Sequence, residues 1–142
     1  MGGNWSWDFT LQILPRLIEA TGYTLLAALI GYLIAMVFGL VLALAQRTPW
    51  RVLTVIAREF VEFIRSTPLI LQIFFVFYVA PQFGVRLSPW TAGMIAIGLH
   101  YAAYLSEVYR GGLESVEKGQ WEAATSLNLG TAHCYRRIIL PQ

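Results

Sequence analysis

The sequence predicts an all-α membrane protein with three transmembrane helices, an outside amino terminus and a further amphipathic helix on the cytoplasmic side. Two observations predict this class. The 142 residues are 57% hydrophobic and only 13% charged, whereas soluble domains carry about 25% charged residues. The charged residues are also grouped around long uncharged runs. Lipid is therefore the expected solvent, and a net charge of +2 gives no reason to expect a nucleic-acid partner.

The three predicted spans rest on three uncharged runs, at residues 20–46, 66–85 and 87–106. A helix needs about 20 apolar residues to cross a bilayer, and each run reaches that length. The predicted spanning helices are 19–46, 61–83 and 88–110. They belong to one domain, 1–142, in which 1–18 is a segment on the outer surface and 111–142 is a cytoplasmic loop.

The distribution of basic residues predicts the orientation. Loops rich in arginine and lysine stay in the cytoplasm. The loop after the first span and the tail after the third hold most of the basic residues, whereas the other side has only Arg16 and Arg86. The basic residues on the predicted cytoplasmic side are Arg47, Arg51, Arg58, Arg110, Lys118, Arg136 and Arg137.

The tail contains the one long amphipathic stretch of the chain. Glu122, Ala123 and Ala124 open it with good helix formers. Asn128 and Gly130 then predict a turn, and a short arginine-rich helix follows. A membrane protein with such a helix–turn–helix on one side of the bilayer offers it to a partner.

This stretch resembles a cytoplasmic loop of bacterial ABC importer membrane subunits, of the form E-A-A-x-x-x-G-x9-I-x-L-P. Glu122-Ala123-Ala124, Ile138 and Leu140-Pro141 fit the pattern. Asn128 stands where the family has glycine, and asparagine tolerates the left-handed backbone such a turn needs.

The resemblance to the polar amino acid branch of this family covers about residues 20–142. The stretches 63–69 (Phe-Ile-Arg-Ser-Thr-Pro-Leu) and 103–112 (Ala-Tyr-Leu-Ser-Glu-Val-Tyr-Arg-Gly-Gly) are similar to this branch, and so is Gly119-Gln120. Ser66 replaces a family glycine, and Glu117 stands where many relatives have proline.

The resemblance implies a permease subunit of the bacterial inner membrane that couples ATPase motion to the uptake of polar amino acids. It implies three partners: a cytoplasmic ATP-binding subunit, a second permease subunit and an extracytoplasmic substrate-binding protein. The chain has no Walker-type phosphate loop, so we expect no enzyme activity and no cofactor. The residues expected to contact the ATPase are Gly119, Gln120, Glu122, Ala123, Ala124, Asn128, Leu140 and Pro141.

Two alternatives accompany this interpretation. The run at residues 99–104 also resembles the ectoine and hydroxyectoine group, so the substrate is either a polar amino acid or a related compatible solute. The family continues past the L-P element into about two more spanning helices, whereas this sequence ends at Gln142. It is therefore interpreted as short at its carboxy end, the alternative being a truncated, non-transporting remnant or scaffold.

Polar and helix-breaking residues within the predicted spans are the candidates for the translocation path. Polar groups in a bilayer face protein or a water-filled cavity. Pro68 either makes a structural kink or bends the path, and His100 either contacts substrate or bonds a neighbouring helix. Arg65 either pairs with Glu59 and Glu62 at helical spacing or takes part in gating. The full set is Arg65, Thr67, Pro68, Gln72, His100 and Glu107.

Other features favour structure over chemistry. Small residues recur every four positions from Gly31 to Ala43, and this stripe packs a helix either of the same chain or of a partner subunit. His100 and Glu107 are about 10 Å apart along a helix and lack a third ligand, so no metal site is expected. A single cysteine, Cys134, gives no disulfide framework.

Overall fold

The structure, a computed structural model, describes residues 6–141 as six α-helices with short connections. A 3-10 turn, Ala80–Phe83, follows the third helix, and a π-helical turn, Tyr135–Ile139, follows the sixth. No strand occurs within the described range, so the predicted all-α class is confirmed for it. The helices are α1 (Trp7–Ala45), α2 (Arg51–Ser66), α3 (Leu69–Val79), α4 (Pro89–Ser115), α5 (Lys118–Ser126) and α6 (Thr131–Cys134).

The first helix, α1, begins earlier than predicted. The Ser6 hydroxyl accepts a hydrogen bond from the Phe9 backbone N–H at 3.3 Å, which caps the helix. The helix then continues through Pro15 to Ala45, although proline in a helix interior costs about 3 kcal/mol. Residues 7–18 are therefore the first part of α1 rather than a separate element. Residues 1–5 of the predicted surface segment lie outside the described residues.

The second predicted span, 61–83, is two helices whose axes meet at 108°. Pro68 explains the break, because it has no backbone N–H and forces the preceding residue out of the helical region. Thr67 accordingly has φ −104° and ψ 132°. The hydroxyls of Ser66 and Thr67 donate to the Phe63 carbonyl at 3.1 and 2.6 Å, which supplies part of the missing hydrogen bonding.

Helices α1 and α4 pack side by side and run parallel. The Tyr23 and Trp90 rings are in contact near their beginnings, with centroids 5.7 Å apart. Further along, Gly39 faces Ala102. Residue numbers at these contacts increase in the same direction along both helices. The chain must therefore run back from the end of α1 to the beginning of α4, and α2 and α3 lie in this connection.

Small residues allow α1 and α4 to approach closely. A Cβ atom on Gly39 would lie 3.0 Å from the Ala102 carbonyl oxygen, and one on Gly98 would lie 2.5 Å from Ile34 Cγ2. Of the two interpretations of the small-residue stripe, packing within the chain is the one the structure bears out. The buried residues of α1 are Gly31, Ala35, Gly39 and Ala43.

Large apolar side chains lie on the outside of this assembly. Leu25 is 66% exposed, Val52 74% and Phe75 64%, whereas the buried hydrophobic residues are mostly alanines. In water this arrangement would be unfavourable. In a bilayer the exposed side chains contact lipid, and close packing of small residues holds the helices together.

By length and composition, α1 is long and apolar enough to cross a bilayer, and the bent pair α2–α3 qualifies as a second span if its two helices form one crossing. Helix α4 has 27 residues, but glycines, tyrosines and His100 reduce the hydropathy of its uncharged part. The count of three spans and the outside amino terminus therefore stay predictions.

Candidate functional site

The predicted docking helix, α5, is held through one apolar face. Ala124 is buried in a cluster with Leu113 of α4, Cys134 and Ile139, and Trp121 packs against this cluster. The apolar contacts fix α5 next to the end of α4. The predicted ATPase-contact residues on the exposed side of α5 are Gly119, Gln120, Glu122 and Ala123.

Asn128 ends the turn after α5 in the left-handed conformation expected for it. Its φ is 52°. The Leu129 N–H donates to the Ala124 carbonyl at 3.0 Å, and the Asn128 N–H donates to the Thr125 carbonyl at 2.9 Å. This is the Schellman arrangement, and Leu129 packs against the same cluster as Ala124. Asn128 therefore adopts the left-handed backbone that glycine reaches most easily.

The end of the motif lies in the π-helical turn and just after it. Ile139 is buried in the cluster, and Ile138 packs against it. Leu140 is 43% exposed, and Pro141 is exposed. Among the predicted contact residues, Ala124 is therefore a buried anchor, while the others are accessible.

A charge cluster joins the end of α2 to α4. We use this name for Arg65, Glu107, Arg110 and Glu114. Glu107 Oε2 accepts from Arg110 Nη2 at 2.7 Å and lies 3.8 Å from Arg65 Nη1. Arg110 Nη1 also donates to Glu114 Oε1 at 2.8 Å. The Arg65–Glu107 pair links two helices, whereas the other two pairs lie within α4.

Arg65 does not form the predicted pairs with Glu59 and Glu62, since no such ion pair occurs among residues 6–141. Its guanidinium lies over the Tyr104 ring at 5.5 Å, and its carbonyl accepts from the Tyr104 hydroxyl at 3.4 Å. These contacts point the Arg65 side chain toward α4. Spacing within α2 could not predict the contacts with Tyr104, because they depend on how α2 packs against α4.

Gln72 stabilises the break between α2 and α3 through two hydrogen bonds. Its Nε2 donates to the Ile64 carbonyl at 2.8 Å and to the Thr67 carbonyl at 3.0 Å. In a continuous helix the Ile64 carbonyl would accept from residue 68, but Pro68 has no N–H. The amide of Gln72, which is only 9% exposed, replaces that donor.

His100 lies among aromatic rings close to the charge cluster. Its ring centroid is 5.4 Å from that of Tyr101 and 5.1 Å from that of Tyr104. Its Nδ1 is buried and has no hydrogen-bond partner among the described residues. Through Tyr104, His100 is connected to Arg65, so the predicted path residues gather around one region, the α2–α3 break and the α4 face opposite it.

Sequence inspection missed two members of the charge cluster. Arg110 lies three residues after Glu107 and four before Glu114, which is the spacing at which helical side chains meet. This spacing could have predicted both ion pairs of Arg110 from the sequence.

A polar cavity of about 380 Å³ lies beside the cluster. It is lined by Gln46, Arg47, Arg58, Val61, Glu62 and the four cluster residues.

Two known permease proteins are similar in sequence to this chain. A probable amino-acid ABC transporter permease protein of Sinorhizobium fredii is 44% identical over 140 residues, which is 99% of this chain and 61% of that protein. An L-cystine transport system permease protein of Bacillus subtilis is 36% identical, over 96% of this chain and 58% of that protein. This chain thus spans about three fifths of the length of these relatives.

A solved structure is also similar to this chain. The crystal structure of an amino acid ABC transporter with histidines superposes with a TM-score of 0.85 and 30% sequence identity, over 99% of this chain and 65% of that one. Residues 35–142 match the family described as the binding-protein-dependent transport system inner membrane component. The match covers well over half of the chain, which therefore belongs to the binding-protein-dependent transport system inner membrane component family.

Proposed function

We propose that this chain is a membrane-spanning permease subunit of an ATP-driven importer for polar amino acids or a related compatible solute. The observation that carries the proposal is α5: a short helix anchored by a buried apolar face, with Glu122 on its free face and a tight Schellman turn behind it. Its relatives are amino-acid and L-cystine permease proteins, which supports an amino acid as substrate.

The proposed arrangement has three spans, with the amino terminus outside and α5 in the cytoplasm. The parallel packing of α1 and α4 supports it, because two parallel crossings require one return crossing between them. The basic residues at the α1–α2 connection and around α5 support the orientation.

The proposed partners follow from this orientation. A cytoplasmic ATP-binding subunit receives α5, a second permease subunit completes the path, and an extracytoplasmic binding protein delivers substrate. Closure of the ATP-binding subunits on ATP moves α5, and the cluster around Ala124 transmits the movement to α4.

The translocation path is proposed to pass the charge cluster and the α2–α3 break. Arg65, Thr67, Pro68, Gln72, His100 and Glu107 gather there. Arg65 and Glu107 offer both signs of charge, which suits an amino acid with a carboxylate and an ammonium group. The 3.8 Å distance between them leaves their pairing weaker than the pairs within α4, so it is the pairing that opens most readily.

Glu122→Arg tests the docking assignment. We expect the affinity for the ATP-binding subunit from the same organism to fall by roughly tenfold. Reversing the charge at position 122 would place an arginine opposite the group that Glu122 contacts in the complex, and like charges across an interface repel. Co-purification and microscale thermophoresis measure the binding. Glu59→Arg, an exposed glutamate of α2, is the matched control. If the Glu122 and Glu59 variants bind alike, the docking assignment fails.

Glu107→Gln tests the path assignment separately. We expect ATPase binding to persist while uptake of labelled amino acids falls, because Arg65 and Arg110 lose the carboxylate they share. Uptake is measured in cells expressing the complete transporter, with Glu59→Gln as the control. Unchanged uptake would contradict the assignment.

Competition by unlabelled ectoine, compared with competition by a mixture of polar amino acids, distinguishes the two substrate classes in the same assay.

A further inference from the structure

Arg47 lies where α1 ends and connects this end to the docking helix. Its guanidinium carbon is 5.5 Å from the centre of the Trp121 ring, within the range of a cation–π interaction. Arg47 is two residues beyond the last residue of α1, and Trp121 lies in the middle of α5. The contact therefore joins two elements that are about 70 residues apart in sequence.

Trp121 is held firmly on its other sides. Its ring meets the Tyr135 ring edge-on, with centroids 5.4 Å apart, and it packs against the buried cluster of Leu113, Ala124, Cys134 and Ile139. Leu44, from the last turn of α1, packs against the same cluster. The end of α1 thus reaches α5 through both an apolar contact and the Arg47 guanidinium over the Trp121 ring.

Arg47 also lines two cavities. One is the cavity of about 380 Å³ beside the charge cluster. The other, of about 400 Å³, lies beside α5 and is lined by Lys118, Trp121 and Glu122 among others. Among residues 6–141, only Arg47 and Glu114 line both, and Glu114 pairs with Arg110 of the charge cluster.

We propose that Arg47 is a positioning residue that fixes α5 to the end of α1 through Trp121, so that α5 moves with the α1–α4 pair and its charge cluster. The consequence for transport rests on the proposed docking of α5. The positioning contact itself is a property of this chain and can be tested without any partner.

Cys134 is the natural reporter for this test. It is the only cysteine of the chain, and it is 6% exposed within the cluster that supports Trp121. A maleimide reaches it only when the cluster opens. The reaction rate, measured on the detergent-solubilised chain, therefore reports how firmly α5 is seated.

The experiment is a double-mutant cycle with Arg47→Gln, Trp121→Leu and the double variant. We expect Arg47→Gln to raise the modification rate by about two- to fivefold, as the loss of one cation–π contact predicts. Trp121→Leu should raise the rate at least as much, because it also removes the ring contact with Tyr135. The double variant should react no faster than the faster single variant, because both changes remove the same contact. Arg51→Gln, an exposed arginine at the start of α2, should leave the rate unchanged.

Two results would overturn the proposal: an unchanged rate in Arg47→Gln, or multiplicative effects in the double variant. If Arg47 stabilised the fold without acting through Trp121, Arg47→Gln would still raise the modification rate. In that case the rate increases of Arg47→Gln and Trp121→Leu would multiply in the double variant. Because no ATP-binding subunit takes part, a failed docking test with Glu122→Arg leaves this result intact. The converse also holds, since α5 can dock even if Arg47 does not position it.

Discussion

Gly98→Ala is expected to lower the free energy of unfolding by about 1–3 kcal/mol, the usual cost of overpacking a close-fitting core. The added methyl group would lie 2.5 Å from Ile34 Cγ2 and 2.7 Å from Ile34 Cβ. Ile34 is β-branched and has one strongly preferred rotamer in a helix, so it cannot swing aside. The two helices must separate instead, and the neighbouring contacts along the seam weaken with them.

Gly93→Ala provides the control for this substitution. Gly93 lies on the same helix, but no atom outside the local backbone is within 4 Å of a Cβ placed there. Alanine should therefore be neutral there, or stabilising by up to about 1 kcal/mol through its higher helix propensity. Unfolding in mixed detergent micelles, followed by circular dichroism, measures both variants. Equal stability of the two would show that α1 and α4 are not as close as described.

Gln72→Leu is expected to destabilise the break between α2 and α3 by about 1–3 kcal/mol. Leucine fills a similar volume but donates no hydrogen bond, so the carbonyls of Ile64 and Thr67 lose the donor now at 2.8 and 3.0 Å. Each buried carbonyl left without a partner costs about 1–3 kcal/mol. The Ile64 carbonyl then keeps only the longer bond from the Thr67 N–H, at 3.4 Å, because Pro68 supplies no N–H.

The matched control is Gln82→Leu, which changes an exposed glutamine in the 3-10 turn. We expect it to have no measurable effect on unfolding. Distances between spin labels on α2 and α3 give a second measurement: Gln72→Leu should broaden their distribution, since the angle between the helices is then less restrained. A narrow, unshifted distribution with unchanged stability would contradict the role assigned to Gln72.

Some features could be predicted because they depend on neighbours in the sequence. Proline at position 68 removes a backbone donor wherever it lies in a helix, so a bend there was foreseeable. The left-handed turn at Asn128 follows from the local sequence that ends α5. Ser66 and Thr67 bond carbonyls within the same turn, which local reasoning also reaches.

Other features could not be predicted because they depend on which helices meet. Glu59 and Glu62 were plausible partners for Arg65 at helical spacing, yet the nearest carboxylate belongs to Glu107 on α4. The continuity of α1 through Pro15 was also not evident, because the Ser6 cap and the long apolar helix outweigh a local penalty.

The membrane character, the helical class and the amphipathic stretch that begins at Glu122 follow from the sequence alone, because they depend on composition and on periodicity within one segment. Three features become visible only in the folded chain: the small-residue stripe packs α1 against α4, Gln72 bonds carbonyls on both sides of the break at Pro68, and the Arg47 guanidinium lies over the Trp121 ring. Each of these contacts depends on how segments about 10 to 70 residues apart approach one another, or on the 108° bend between α2 and α3. The residue pattern within a single helix contains no information about such an approach.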